Sequence, residues 1–125
     1  MVIYLRGELG AGKTSLARGI LRGLGYTGRV KSPTYTLVEL YNVSRLYLYH
    51  FDFYRLEDPH AWIDVGFRDY FNDAALCLVE WPERAGGSLP PADLDIRLEI
   101  HGQERDAAII AGTAAGRQCL IALAA

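Results

Sequence analysis

The most chemically informative segment of this 125-residue chain is Gly7–Thr14, which reads GELGAGKT. It fits the pattern G-x-x-x-x-G-K-[ST], whose glycines allow backbone N–H groups to turn inward and surround a phosphate. In that pattern the lysine, here Lys13, brings a positive charge to the outer phosphates, and the hydroxyl of Thr14 is a ligand for Mg²⁺. The segment therefore predicts a site for a nucleoside triphosphate and its magnesium ion.

The segments on either side of this loop support that interpretation. Residues Val2–Leu5 are apolar and predict a strand, whereas residues 14–24 carry apolar side chains at helical spacing and predict a helix that stops at Gly25. Such a helix would point its positive N-terminal end at the phosphates. The alternative is a glycine-rich turn that only packs, but Lys13 is one of only two lysines in the chain, which makes its position in the motif hard to ascribe to chance.

A magnesium ion at such a loop also needs a carboxylate from the end of another strand, and the chain offers two candidates. Glu80 ends the apolar run Ala75–Val79, which predicts a buried strand, and ligands gather at the ends of such strands in open α/β sheets. Asp52 lies in the second candidate segment, residues 50–54. We favour Glu80 as the metal ligand and leave the role of Asp52 open. His50 is at least as well explained by packing.

The segment Ser32–Thr36 follows the predicted helix, where a switch loop would lie. Thr34 could offer its hydroxyl to the γ-phosphate or to Mg²⁺. A Ser-Pro turn before a strand is common, so this segment is a weak indication by itself.

The rest of the chain completes an α/β pattern. The predicted elements are strands at 36–41 and 46–54 with a turn over 42–44, a helical region from Asp58 and Pro59 to about residue 72 with a break near Gly66, and a hairpin at 94–100 and 106–110 that turns at Gly102. The tail, 114–125, is Ala-rich and has no assignment. This order predicts a single P-loop NTPase-like domain over 1–125, with three layers and a mixed parallel and antiparallel sheet.

The composition narrows the class of protein further. Half of the residues are hydrophobic and 22% are charged, which excludes a disordered tail or a coiled coil. The sequence shows neither a membrane-spanning run nor a secretory leader, and Cys77 and Cys119 are too few for a disulfide scaffold, so we expect a cytoplasmic protein. Residues 1–31 hold six of the thirteen basic residues but only one of the fifteen acidic ones, which favours an anionic ligand near that end.

Four segments in this order resemble the bacterial TsaE (YjeE) family: GELGAGKTSLARGIL, VKSPTYTLVELY, YHFDFYRL and LVEWPER. The resemblance runs from Val2 to about Thr113. It implies a small P-loop ATPase that serves the threonylcarbamoyl modification of adenosine 37 in tRNAs. It also implies that the protein binds the transferase pair TsaD and TsaB and that its ATP hydrolysis resets this pair. The net charge of −2 does not favour direct binding of tRNA, although the basic N-terminal third allows it, so we expect contact with tRNA to be indirect.

The resemblance also assigns roles to individual residues. Thr14 and Glu80 match the family's Mg²⁺ ligands, Thr34 its switch segment, Asp52 its motif aspartate and Trp81 the tryptophan after the metal-binding acid. Together with the loop pattern, this gives Lys13, Asp52 and Thr34 as candidate catalytic residues. The predicted nucleotide contacts are Gly7, Gly10, Ala11, Gly12, Lys13, Thr14, Ser15 and Trp81.

One departure and two alternatives bear on this prediction. Family members usually carry a further strand and helix before the P-loop strand, whereas this sequence starts at Met1, so we expect the phosphate site to match the family better than the adenine site. A small-molecule or nucleoside kinase is one alternative, although Arg55, Arg68 and Arg84 are scattered rather than gathered in a lid. A non-catalytic nucleotide-binding module is the other.

Overall fold

The computed structural model describes residues 1–43, 46–64 and 66–124, which fold into an α/β structure. The strands are β1 (Val2–Arg6), β2 (Val38–Val43), β3 (Leu46–Asp52), β4 (Ala75–Glu80), β5 (Leu94–His101) and β6 (Glu104–Ala111). The α-helices are α1 (Lys13–Gly23), α2 (Ala61–Asp64) and α3 (Ala114–Ala124), and two 3₁₀ helices cover Phe67–Tyr70 and Pro82–Ala85.

The described strands form a six-stranded sheet in the order β2-β3-β4-β1-β5-β6. The central four strands run parallel, while β2 and β6 pair antiparallel with their hairpin neighbours, which confirms the predicted mixed sheet. Every residue of β4 is buried, as expected for a parallel strand that is covered on both faces. Because β1, β3 and β4 end at the same edge, the residues that end or follow them converge there.

Helices cover both faces of this sheet, which confirms the three layers. On one face Leu5 and Leu78 belong to the same apolar cluster as Leu21 of α1, with α3 packed beside them. On the other face Phe51 packs with Trp62 of α2 and with the 3₁₀ helices. Full burial of a leucine or phenylalanine side chain contributes about 1.5–3 kcal/mol, so these two clusters hold the site-bearing strand ends in place.

The boundaries of several elements differ from the prediction. The first helix begins at Lys13 and ends at Gly23, and Gly25, with a φ of +95°, follows it as the predicted stop. The prediction of a hairpin turn over 42–44 is wrong for Asn42 and Val43, because both residues belong to β2. Residue 44 lies outside the described residues. Strand β2 also begins only at Val38, after a turn in which the N–H of Leu37 donates to the carbonyl of Pro33.

The predicted helix start at Asp58 and Pro59 is also wrong. The carboxylate of Asp58 accepts a hydrogen bond from the N–H of His60 at 3.0 Å, and its carbonyl accepts one from Ala61. These bonds close a turn ahead of α2, which begins only at Ala61. The predicted break near Gly66 is confirmed, since this residue has a φ of +85° and stands between α2 and a 3₁₀ helix.

The unassigned tail forms α3, which docks on the sheet through a small set of contacts. The hydroxyl of Thr113 donates to the Asp93 carboxylate at 2.6 Å and accepts the N–H of Gly116 at 3.1 Å. A Cβ at Gly116 would lie 1.8 Å from the carbonyl oxygen of Asp93, so the close approach requires glycine. Like the other helices of the described ranges, α3 does not have the length and hydropathy to cross a membrane.

Candidate nucleotide site

The loop between β1 and α1 depends on two glycines whose backbone other residues rarely adopt. Gly7 has a φ of +147°, and a Cβ there would lie 2.7 Å from the carbonyl oxygen of Leu98 on β5. Gly12 has a φ of +103° and directly precedes the first helical residue. These positions let the chain leave β1, pass close to β5 and turn sharply into the helix.

The N-terminus of α1 has uncapped backbone N–H groups, which favour binding of an anion. No described side chain caps this helix, so the backbone N–H groups of its first residues, Lys13, Thr14 and Ser15, have no acceptor within the helix. All three residues line a cavity of about 400 Å³. Free N–H groups and the positive end of the helix dipole together form a phosphate site.

This cavity brings together most of the residues that the sequence predicted. Those that line it are Gly10, Gly12, Lys13, Thr14, Ser15, Thr34, Asp52, Glu80 and Trp81. Two predicted nucleotide contacts lie elsewhere: Gly7 lines a neighbouring cavity of about 510 Å³, and Ala11 is buried under the loop. The described geometry therefore supports a single site built from four separate segments of the chain.

The ammonium group of Lys13 is held at the loop by neutral partners. It donates to the carbonyl oxygens of Gly7 at 2.5 Å and Glu8 at 3.0 Å, and its nitrogen lies 4.3 Å from the centre of the Trp81 ring. Burial lowers the pKa of Lys13 below its ordinary value, although the nearby carboxylates of Glu80 and Asp52 oppose that effect. Phosphate oxygens can replace these carbonyls as partners and would also neutralise the buried charge.

Thr14 and Glu80 lie within hydrogen-bond distance of each other in the cavity. The hydroxyl of Thr14 lies 3.2 and 3.1 Å from the two carboxylate oxygens of Glu80, which ends β4 and is buried. Mg²⁺ is usually held by one or two protein oxygens together with phosphates and water, rather than by a cage of protein ligands. The described ranges contain no cluster of three His, Cys, Asp or Glu residues that could hold a metal alone. This donor pair therefore fits a magnesium ion that arrives with a triphosphate.

His50 also contacts Glu80, a contact that the sequence analysis did not predict. Its Nε2 lies 2.5 Å from Oε2 of Glu80, and the imidazole is fully buried in β3. In the parallel pairing of β3 with β4, His50 stands opposite Leu78, two residues before Glu80. Residue spacing does not give this register, so the sequence offered no signal for the contact beyond the presence of a histidine near Asp52.

Asp52 ends β3 directly opposite Glu80 in the same strand pair. Its carboxylate is mostly buried and accepts a hydrogen bond from the N–H of Tyr54 at 3.0 Å. Burial raises the pKa of Asp52 above its ordinary value; Glu80 adds to the effect, while the Tyr54 hydrogen bond, His50 and Lys13 oppose it. Asp52 is therefore a better proton acceptor than an exposed aspartate.

Thr34 reaches the cavity from the loop between α1 and β2. Its hydroxyl lies 2.6 Å from that of Ser32. The end of this loop is fixed to the site, because the N–H of Asp52 donates to the carbonyl of Leu37 at 3.0 Å. The loop that contains Thr34 is therefore joined by its backbone to the strand end that carries Asp52.

Trp81 occupies a backbone conformation that is uncommon for a residue with a side chain. Its φ is +57°, which costs of the order of 1 kcal/mol or more. The turn leads from β4 into the 3₁₀ helix at Pro82–Ala85 and places the indole beside Lys13 and 5.0 Å from the Tyr54 ring. Arg105, which sequence analysis did not place at the loop, reaches it from β6 with a 3.3 Å hydrogen bond to the carbonyl of Gly10.

Three features together define a P-loop nucleotide-binding protein. They are a glycine loop that opens a helix, a buried lysine followed by a threonine at the helix start, and an acid at the end of a neighbouring parallel strand. Comparison with known proteins narrows this class. The model of a family described as threonylcarbamoyl adenosine biosynthesis protein TsaE matches residues 1–108. The chain therefore belongs to the TsaE family.

Individual relatives agree with this assignment. The tRNA threonylcarbamoyladenosine biosynthesis protein TsaE of Haemophilus influenzae is 48% identical over 122 residues, which cover 98% of this chain and 77% of that protein. The protein of the same name from Bacillus subtilis is 43% identical, over 82% of this chain and 64% of its own length. The crystal structure of Bacillus subtilis YdiB matches with a TM-score of 0.81 at 33% identity, covering 98% of this chain and 76% of that one.

Proposed function

We propose that this protein binds and hydrolyses ATP with Mg²⁺ and thereby supports the threonylcarbamoylation of adenosine 37 in tRNA. The observation that carries the ATPase part is the facing pair of Thr14 and Glu80 in the cavity that also holds Lys13 and the N-terminus of α1. The names of the TsaE relatives support the link to tRNA modification.

The phosphates of ATP would lie on the backbone N–H groups at the start of α1. Lys13 would exchange its bonds to the Gly7 and Glu8 carbonyls for bonds to the outer phosphates. Charge-assisted bonds of this kind strengthen as charge develops on the transferred group, so the lysine would favour the transition state as well as binding.

Thr14 and Glu80 would hold the magnesium ion through their side-chain oxygens. Held by these two side chains, the ion would supply positive charge against the negative charge that develops during phosphoryl transfer. Asp52, opposite Glu80 in register, would accept a hydrogen bond from the attacking water, and the hydroxyl of Thr34 would contact the γ-phosphate from the other side of the cavity. Because its pKa is raised, Asp52 can also take up the proton that the water releases.

We also propose that TsaD and TsaB are the partners and that the protein binds them in the cytoplasm, with only indirect contact to tRNA. The loop that contains Thr34 supports a nucleotide-dependent partner surface, since its far end is hydrogen-bonded to the strand that carries Asp52. Contact of the γ-phosphate with this loop would order it, and hydrolysis would release it. Hydrolysis would in this way reset the transferase pair between turnovers.

Replacement of Glu80 by glutamine tests the proposed activity. With purified TsaD and TsaB present, we expect Glu80→Gln to lower Mg²⁺-dependent release of phosphate from ATP about 10²- to 10³-fold, because the metal loses a charged ligand. Binding of ATP in EDTA should change only a few-fold. Glu83→Gln is the matched control, since Glu83 lines the neighbouring cavity instead.

Two results would contradict the proposal. Near-normal turnover by folded Glu80→Gln protein would remove Glu80 from the metal site. Appearance of the γ-phosphate on a small-molecule acceptor, rather than as free phosphate, would favour a kinase instead.

A further inference from the structure

We infer that His50 is a positioning residue that orients the Glu80 carboxylate for magnesium. This inference rests on the proposed Mg²⁺–ATP site and adds a residue that does not touch the nucleotide itself. The observation behind it is the short contact between Nε2 of His50 and Oε2 of Glu80, in a part of the structure where both side chains are buried.

The two oxygens of Glu80 have different surroundings. Oε2 is contacted by His50 at 2.5 Å and by the Thr14 hydroxyl at 3.1 Å. Among the described residues, Oε1 is hydrogen-bonded only by Thr14, at 3.2 Å. His50 therefore fixes the rotation of the carboxylate and leaves Oε1 as the oxygen that is available to a metal ion beside Thr14.

The imidazole is well placed to hold this orientation. His50 lies on β3, which is hydrogen-bonded to β2 on one side and β4 on the other, so its backbone cannot shift independently. Its Nδ1 has no hydrogen-bond partner in the described parts of the chain. The Glu80 carboxylate is therefore the hydrogen-bond partner that the described structure gives to this buried ring.

His50 lies where the apolar core meets the cavity. On the same face of β3, Leu48 belongs to the core that packs against α1. His50 stands between Leu48 and Asp52 on that face, at the boundary between the core and the cavity. An apolar residue at 50 could extend the core, but it would leave the buried Glu80 carboxylate without its imidazole donor.

A set of substitutions at this position tests the inference. His50→Leu and His50→Asn remove the contact, because leucine has no donor and the asparagine amide is too short to reach Oε2. His50→Gln places an amide N–H near the original Nε2 and should restore it. Phe51→Leu is the matched control: it alters the neighbouring buried residue of β3, whose ring packs in the layer on the other face of the sheet.

Isothermal titration calorimetry with a non-hydrolysable ATP analogue, in Mg²⁺ and in EDTA, gives the required readout. We expect His50→Leu and His50→Asn to weaken Mg²⁺ binding to the protein–nucleotide complex about ten- to a hundredfold, the usual effect of losing a partner of a metal ligand. Nucleotide affinity in EDTA should stay within about threefold of wild type, because His50 is not among the residues that line the cavity. His50→Gln should recover most of the Mg²⁺ affinity.

The outcomes separate failure of this inference from failure of the proposed function. Wild-type protein whose analogue binding is the same in Mg²⁺ and in EDTA would overturn the metal site and the inference together. A normal Mg²⁺ effect in wild type that is unchanged in folded His50→Leu or His50→Asn protein would overturn the inference alone. An equal loss of Mg²⁺ affinity in Phe51→Leu would show that general destabilisation of β3, rather than the Glu80 contact, causes the effect.

Discussion

Replacement of Lys13 by alanine should separate nucleotide chemistry from folding. In the structure the ammonium group makes two hydrogen bonds to loop carbonyls and one contact with the Trp81 ring. On ATP binding it would exchange them for phosphate partners. A hydrogen bond to a charged group contributes about 1.5–3 kcal/mol net, which corresponds to a loss of about ten- to 150-fold in ATP affinity when the lysine is removed. Turnover should fall by a further factor of about 10²–10³, because the lysine also stabilises charge that develops in the transition state.

The same substitution should leave the fold nearly unchanged. Burial lowers the pKa of Lys13, so the charged form is held less readily in the folded protein than in the unfolded chain. At pH values below the lowered pKa, the buried charge therefore opposes folding, and its removal offsets the loss of the two carbonyl bonds. A residual change of about 1 kcal/mol would shift Tm by only about 2–8 °C.

Calorimetric titration with ATP, phosphate release in the presence of TsaD and TsaB, and thermal denaturation measure these three quantities. Lys31→Ala is a matched control, because Lys31 is exposed and is the other lysine of the chain. The reasoning is refuted if Lys13→Ala, with normal circular dichroism, hydrolyses ATP like wild type. It is also refuted if Lys31→Ala loses as much activity as Lys13→Ala.

Two further substitutions test the neighbouring groups. Thr14→Val keeps the shape of the side chain but removes the hydroxyl proposed to bind the metal, so the Mg²⁺ concentration for half-maximal hydrolysis should rise at least tenfold. Thr14→Ser should stay near wild type, and equal values for the two variants would contradict the role of the hydroxyl. Asp52→Asn should be at least as heat-stable as wild type at pH 7 without nucleotide. Burial raises the pKa of Asp52, so its ionised form opposes folding once the pH has passed that pKa. Turnover by this variant should fall about 10²- to 10⁴-fold. Wild-type turnover should also decline on acidification through the raised pKa of Asp52; a lower Tm for Asp52→Asn, or an unchanged acid limb, would count against these assignments.

The parts of the site that were predictable from sequence are those encoded by consecutive residues. All residues of the phosphate-loop pattern lie within the eight consecutive positions Gly7–Thr14, so the glycines, the lysine and the threonine could be predicted from their order in the chain alone. Glu80 was predictable for a related reason, since a long apolar run that ends in an acid marks the end of a buried strand.

The parts that were missed depend on contacts between distant segments. The bond from His50 to Glu80 joins residues thirty positions apart and exists only in the observed register of β3 with β4. The docking of α3 depends on Thr113 and Gly116 meeting Asp93, and an Ala-rich tail carries no sign of where such a partner lies. The local sequence also predicted a turn over residues 42–44, but Asn42 continues to pair with β3 and therefore stays in β2.

For the proposed Mg²⁺–ATP site, the distribution of charge predicts that magnesium and nucleotide bind cooperatively. Asp52 and Glu80 end adjacent strands at the same level, and both are largely removed from water, with Lys13 beside them. A triphosphate that enters alone brings more negative charge next to two carboxylates, which repel it at short range. A magnesium ion that enters alone finds Thr14 and Glu80 as its proposed protein ligands and must keep most of its water. Each therefore removes the main cost of binding the other. Because such coupling is reciprocal, Mg²⁺ must raise the affinity for ATP by the same factor by which ATP raises the affinity for Mg²⁺.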